Sequence, residues 1–344
     1  MNLPIFPPFA PMEAQLAGRL PTGGEWLYEP KWDGFRCIVF RDGAEVELQS
    51  KAGKPLGRYF PELLERLTAI GAPKFVLDGE IVVPVKGIFS FDDLLQRIHP
   101  AESRINRLSR ERPADLIFFD LLVHPDGQVL LEKPLAQRRA RLEQFAHDHL
   151  RNPTGIDISP ATRDEDQARA WLLSGDINLD GVIAKRLDSA YLSGERTGMR
   201  KIKRKRTADC VVGGFRYSAG AEGRSAGHEI GSLLLGLYDG QGLLHHVGFC
   251  SGLSENERRD LVRRLEPLIS PPGFTGRAPG GPSRWRVVES PWQPLAPRLV
   301  VEVEWDHFTG GRFRHGTKLL RWRPDKPPEQ CTLAQIGANA PSRA

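Results

Sequence analysis

Cysteine is scarce in this chain and never paired. Cys37, Cys210, Cys250 and Cys331 lie far apart, and no C-x-x-C string occurs. A zinc site of that type and a disulfide framework are therefore not expected. Isolated thiols fit a reducing compartment, so a cytoplasmic protein is expected. Long apolar runs are missing too: none approaches the roughly 18 residues of a spanning helix. The N-terminus shows no charged stretch followed by an apolar one, the mark of a secretory signal. Membrane insertion and secretion are not expected. No internal repeat is visible.

What is present describes a globular protein. A length of 344 residues suggests two domains. Hydrophobic residues make up 40% and charged residues 26%, ordinary values for a soluble fold. A formal charge of +5 and a pI near 9.1 lean towards an anionic partner, though modestly.

Residues 1–24, rich in proline and glycine, read as an extended lead-in. Runs 37–41 and 45–49 are β-rich and joined by Asp42-Gly43, a hairpin signal. Residues 61–70 read as a helix with proline in its first turn. Runs 75–77 and 81–85 read as strands flanking an Asp78-Gly79 turn. Ser90 is placed to cap a short helix ending near Ile98. Residues 116–122 and 182–185 read as buried strands, and 134–150 as an amphipathic helix. Thr162 with Glu165 fits a capping box for a helix over 166–174. Beyond residue 206 strands dominate: 210–215, 232–238, 243–249 and 299–305, interrupted by one helix over 255–268. The expected fold is α+β: a sheet-and-helix domain over 1–206, then a five-stranded Greek-key barrel of the OB type over 207–330. A tail from 331 closes the chain, and order is expected to fade from 327 onwards.

The string Glu29-Pro30-Lys31-Trp32-Asp33-Gly34-Phe35-Arg36 carries the strongest chemical signal. Asp33-Gly34 reads as a tight turn. Lys31 is either a solvated charge at a strand end or an amine nucleophile. A nucleophilic lysine must be uncharged, which calls for a depressed pKa. Burial and nearby cations supply that, with Arg36, Lys201 and Lys203 as candidates. Glu80 and Asp180 read as carboxylates at strand mouths. They are either plain turn residues or a pair able to hold Mg²⁺. Phe118 and Phe119 are core aromatics, unless one ring stacks on a purine. Residues 195–206 hold seven basic residues in twelve. Alternation there places Lys201 and Lys203 on one strand side, suited to phosphate, and Arg204 and Arg206 on the other. Arg321-Trp322-Arg323-Pro324-Asp325-Lys326 is either an exposed basic tail or a clamp on pyrophosphate.

In this order the strings resemble the signature motifs of the covalent nucleotidyltransferases. The resemblance is to ATP-dependent DNA ligases of the bacterial C type, relatives of the ligase domain of multidomain end-joining ligases. It spans about residues 7–333, and Phe313-Arg314-His315-Gly316-Thr317 strengthens it. The resemblance implies an adenylation domain followed by an OB domain. It implies that Lys31 becomes the adenylated lysine and that Glu29 takes the adenine amino group. Arg36 would contact ribose and later the nick phosphate. Glu80 would contact ribose or the metal shell, Phe119 would stack on adenine, and Asp180 would serve the metal, Mg²⁺ or Mn²⁺. Lys201 and Lys203 would hold the α-phosphate. Arg323, Asp325 and Lys326 would orient pyrophosphate. Two departures stand out. Lys51, in Ser50-Lys51-Ala52-Gly53, replaces the arginine usual among relatives. Asp180 stands where many have glutamate. The implied function is sealing of 5′-phosphate/3′-hydroxyl nicks in duplex DNA, in repair, by a monomer. Arg204, Lys205 and Arg206 are candidate DNA contacts, and end-joining or gap-repair proteins are candidate partners. With no large DNA-binding domain expected ahead of Glu29, either OB-domain closure or a recruiting partner is called for. An RNA ligase, a GTP-using capping enzyme and a non-catalytic OB module remain the alternatives.

Overall fold

Among the described residues, two larger sheets, a two-stranded hairpin and five α-helices build the first unit, Met1–Arg204. The structure, a computed structural model, describes residues 1–150, 155–173, 179–204, 206–218, 229–280 and 291–336. The strands are β1 (Gln15–Leu16), β2 (Trp26–Trp32), β3 (Phe35–Asp42), β4 (Glu45–Ser50), β5 (Lys74–Val82), β6 (Pro84–Val85), β7 (Ile88–Phe89), β8 (Asp115–Val123), β9 (Ile156–Ile158), β10 (Leu179–Arg186) and β11 (Met199–Lys203). The helices are α1 (Pro61–Thr68), α2 (Phe91–Arg97), α3 (Glu102–Glu111), α4 (Leu135–His149) and α5 (Glu165–Leu173). One sheet has the order β1-β11-β10-β2 and the other β4-β3-β5-β8-β9; β6 and β7 form a separate hairpin.

Period-two alternation decides what each sheet face meets. On the first sheet Tyr28, Val182, Ala184 and Ile202 point outward and pack with Ala168 of α5. Glu29, Lys31, Ile183, Lys185, Met199 and Lys201 point the other way and line a cleft. On the second sheet Cys37, Val39, Leu77 and Ile81 pack against Leu63 and Leu67 of α1 and Leu142 and Phe145 of α4. Each such side chain removed from water is worth about 1.5–3 kcal/mol. Ile38, Phe40 and Val76, on the opposite face, meet Leu3, Ile5 and Met12. The proline-rich lead-in is thus extended and also packed.

Several expectations need correction. Asp33-Gly34 is not a hairpin turn, for β2 pairs with β10 while β3 pairs with β4 and β5. It is the crossover between sheets. A Cβ on Gly34 would lie 2.2 Å from the Ile81 carbonyl oxygen, so no larger residue fits this close approach. Asp78-Gly79 is no turn either; β5 runs straight through it. α5 is not entered by the expected box. Asp164 Oδ1 accepts from the Asp166 amide at 2.9 Å, while Glu165 reaches the Gly23 amide at 2.8 Å. Residue 174, where that helix was expected to end, lies outside the described residues. α3 was not foreseen. Its buried apolar residues are Ile105 and Leu108, among Arg104, Arg107 and Arg110. So sparse a stripe gives little periodic signal.

The second unit, Lys205–Ala344, contains β12 (Arg206–Tyr217), β13 (Ile230–Tyr238), β14 (Leu244–Cys250), α6 (Glu255–Leu265), β15 (Gln293–Pro294), β16 (Val300–Trp305), β17 (Phe308–Thr309), β18 (Arg312–Phe313) and β19 (Lys318–Trp322). The main path is β14-β13-β12-β16-β19. A parallel bridge from Cys250 to Thr317 joins its two ends, with the Thr317 amide 3.0 Å from the Phe249 carbonyl. α6 begins with a capping box of Ser254 and Glu257, and residues 266–268 continue as a 3-10 turn. The four cysteines are buried and free. Residues 327–336, expected to be loose, are docked. Cys331 is buried and its carbonyl accepts from the Tyr238 amide at 2.8 Å. Residues 337–344 lie outside the described residues. No described helix is long and apolar enough to cross a membrane.

Candidate active site

Lys31 stands on the cleft face of β2. Opposite it, β10 carries a bulge: Leu179 pairs with Trp32 and Gly181 with Lys31, leaving Asp180 as the extra residue. A bulge re-aims a side chain. Here it brings Asp180 Oδ2 to 2.5 Å from Lys31 Nζ. Gly181 makes this possible with φ +146°, and a Cβ there would lie 2.0 Å from the Ile202 carbonyl oxygen. Burial pushes Lys31 towards neutrality, but Asp180, Glu80 and Asp33 outweigh it and raise its pKa. The expectation of a lysine depressed by cations is overturned, because the charges closest to Lys31 are carboxylates. The lysine so depressed is Lys201, by burial and then by Lys31, Lys51 and Lys203. Glu80 pairs across the sheet with Arg36, and burial raises its carboxyl to about 7 against the pull of Arg36 and Lys31.

Deeper in the cleft Glu29 is 2% exposed. Its Oε2 lies 2.8 Å from Lys185 Nζ. Its Oε1 is 3.7 Å from Arg139 and has no hydrogen-bond partner. Burial raises the Glu29 pKa, and Lys185 and Arg139 oppose that. A second bulge places Phe119. Asp78 pairs with Asp120 and Gly79 with Phe118, so Phe119 is skipped and lines the cleft while Phe118 joins the core. The Arg36 guanidinium sits 4.4 Å from the Phe119 ring centre and Lys185 Nζ 4.7 Å from it. Arg36 donates two 2.6 Å bonds to Asp78. Asp78 also accepts from Tyr191 Oη at 2.5 Å, and that hydroxyl accepts from the Met12 amide at 3.0 Å.

Lys51 and Lys201 line the cleft as well. Lys51 Nζ is paired with Glu13 at 2.8 Å. Lys203 follows Lys201 on the same side of β11, opposite Gly181. The alternation does not extend to Arg204 and Arg206, because β11 ends at Lys203 and β12 starts at Arg206. Arg204 Nε donates to the Leu172 carbonyl at 3.3 Å, and Arg206 lies 5.3 Å from the Trp305 ring centre. Lys205 lies outside the described residues. Arg323, Asp325 and Lys326 belong to the second unit. There Arg323 bridges Asp209 and Asp325, each at 2.8 Å, and Lys326 is 3.9 Å from Asp209. No group of three or more His, Cys, Asp or Glu gathers as a metal cage among the described residues.

Sequence reasoning missed Met12, Glu13, Asp78, Lys185 and Tyr191. Lys185 was within reach of it, since two-residue alternation from Ile183 puts it on the cleft face. The others meet the site only through tertiary contacts.

Residues 11–203 match the family model described as ATP dependent DNA ligase domain, and residues 226–326 match ATP dependent DNA ligase C terminal region. DNA ligase C1 of Mycolicibacterium smegmatis is 44% identical over 98% of this chain and 96% of its own. DNA ligase C of Mycobacterium tuberculosis is 41% identical over the same shares, 98% and 96%. The solved structure of mycobacterial DNA ligase D complexed with ATP and MES is 32% identical, with a TM-score of 0.50, over 94% of this chain and 98% of that one. The chain belongs to the ATP-dependent DNA ligase family. Within that family its relatives are those of the bacterial C type.

Proposed function

We propose that this ligase seals 5′-phosphate/3′-hydroxyl nicks in duplex DNA in three displacements, beginning with attack of Lys31 Nζ on the α-phosphorus of ATP. The new N–P bond forms as the bond to pyrophosphate breaks. AMP then passes to the 5′-phosphate of the nick, and the 3′-hydroxyl displaces it. Each step is an in-line phosphoryl transfer, so the protein contributes position and charge. Lys31 must first lose its proton, and Asp180 Oδ2, 2.5 Å away, is its immediate acceptor.

The observation that carries this reading is the buried Oε1 of Glu29, which accepts no hydrogen bond and lies two residues from Lys31 on one strand face. An acceptor there fits the amino group of adenine, whereas guanine presents an oxygen at that edge. Phe119 offers a ring for the base, Arg36 a donor for ribose and later the nick phosphate, and Lys51, Lys201 and Lys203 cations for phosphate. Arg323, Asp325 and Lys326 would orient pyrophosphate. Glu80 and Asp180, both felt by Lys31, are the candidate oxygen donors for Mg²⁺ or Mn²⁺, with water and phosphate oxygens completing its shell. Bound there, the ion would neutralise charge on the reacting phosphate.

The strand order and parallel closure of the second unit support an OB barrel that grips DNA through its phosphates, with Arg204, Lys205 and Arg206 as candidate contacts. A repair role as a cytoplasmic monomer, alongside end-joining or gap-repair proteins, completes the reading. Incubation with ATP and Mg²⁺ tests it. One AMP should attach by an acid-labile phosphoramidate that Lys31→Ala abolishes. Peptide mapping that finds AMP on Lys185 instead would refute the assignment.

A further inference from the structure

Residues 11–14 border the cleft as a strap whose backbone is fixed on several sides. The Met12 amide donates to Tyr191 Oη at 3.0 Å and the Glu13 amide to the Glu195 carbonyl at 2.8 Å. The Ala17 amide donates to the Lys201 carbonyl at 3.0 Å, and β1 pairs in parallel with β11. From this fixed backbone the Glu13 carboxylate reaches Lys51 at 2.8 Å and Arg196 at 3.3 Å. Its charge is also felt by Lys201. A carboxylate therefore sits among the cations that border the cleft mouth.

We propose that Glu13 is a resident carboxylate that holds Lys51 in position over the cleft and yields it to substrate phosphate. The inference rests on reading Lys51 as a phosphate ligand, as set out above. Lysine at this position is a point charge on a flexible stem, without the rigid fork of arginine. Lys51 is 58% exposed, so nothing in its own packing fixes the ammonium. Glu13 supplies that orientation from a backbone hydrogen-bonded to Tyr191, Glu195 and β11. The same contact is easily given up, because exposed ion pairs contribute little net free energy. A phosphate carries more charge and more acceptor oxygens than one carboxylate, and it takes the ammonium over.

The shared chemistry is phosphate, from either ATP or the nick, and two assays separate the sources. One measures self-adenylation against ATP concentration; the other measures sealing of a pre-adenylated nick against DNA concentration. Both use the full chain, with Glu13→Gln and the double variant Glu13→Gln/Lys51→Arg. In the assay whose phosphate Lys51 receives, Glu13→Gln should lower KM by about two- to five-fold, since a competing charge of ordinary surface strength is gone. It should lower kcat as well, because Lys51 loses its guide. Lys51→Arg in that background should restore kcat, as a fork orients itself. The salt dependence of KM should steepen, since Lys51 and Arg196 both lose the carboxylate that competes with substrate phosphate. Unchanged KM in both assays, a raised KM, or no rescue by arginine overturns the inference. A wild-type protein that never acquires AMP on Lys31 would defeat the underlying reading instead, so the two failures are distinct.

Discussion

Lys31 Nζ and Asp180 Oδ2 lie 2.5 Å apart, an ion pair that favours the ammonium form of the proposed nucleophile. Burial works against that charge, and Asp180 is the foremost group restoring it. Asp180→Asn should lower the Lys31 pKa. Acylation of Lys31 by an amine-directed reagent, without ATP, should then show its pH midpoint at lower pH than in the wild type. An unshifted midpoint would remove Asp180 from this role.

Glu80 gives a pH dependence of opposite origin. Its carboxyl is raised to about 7 by burial, so below that pH a proton competes with any cation it binds. The apparent Mg²⁺ affinity for self-adenylation should weaken on acidification below about pH 7, by up to about tenfold per pH unit. Glu80→Gln should flatten that dependence. The stability sign follows from the same shift. Glu80 favours the fold below its unfolded pKa, and that contribution is lost as pH rises through about 7. Denaturant midpoints of Glu80→Gln should therefore gain on the wild type from pH 5 to pH 8.

Tyr191→Phe should damage both fold and substrate binding. It removes a partner from the Asp78 carboxylate and from the Met12 amide, both buried. Leaving such groups unsatisfied costs about 1–3 kcal/mol, readable as a fall in urea midpoint. Arg36 loses part of its anchor, so KM for ATP should rise. A variant with wild-type stability would mean that water replaces the hydroxyl.

Arg323 follows β19, which pairs with β16, so removing the end of the chain from Leu320 would strip most of a paired strand as well. Asp325 offers a gentler variant. It is 64% exposed, and hydrogen bonding to Arg323 holds its carboxyl down at about 2. Asp325→Ala should leave stability close to that of the wild type, as surface changes usually do. Self-adenylation should slow while sealing of a pre-adenylated nick persists. Normal self-adenylation would sink the proposal.

Local signals carried most of what was legible in the sequence. Turn chemistry announced the β3–β4 hairpin, and proline and Ser90 announced α1 and α2, because turns and caps depend on neighbours in sequence. Alternation put Lys201 with Lys203 for the same reason. Relations across the fold were not legible. Tyr191 and Asp78 are 113 positions apart. Asp-Gly pairs at 33–34 and 78–79 mimic turns, yet one is a crossover and the other lies inside β5. Sequence order places Arg36 close to Lys31, while the bulge that puts Asp180 at its side depends on the pairing of β2 with β10.

Both bulges have a consequence for anyone redesigning this enzyme. Asp180 and Phe119 are residues skipped where the register of β10 with β2 and of β8 with β5 shifts. Deleting either would tidy the ladder into ideal pairing. Protocols that reward regular geometry would favour such edits, and stabilised variants chosen that way often lose activity. Here the loss would be specific: a better-formed sheet, with the companion of Lys31 or the ring proposed to stack on purine edited out as an irregularity.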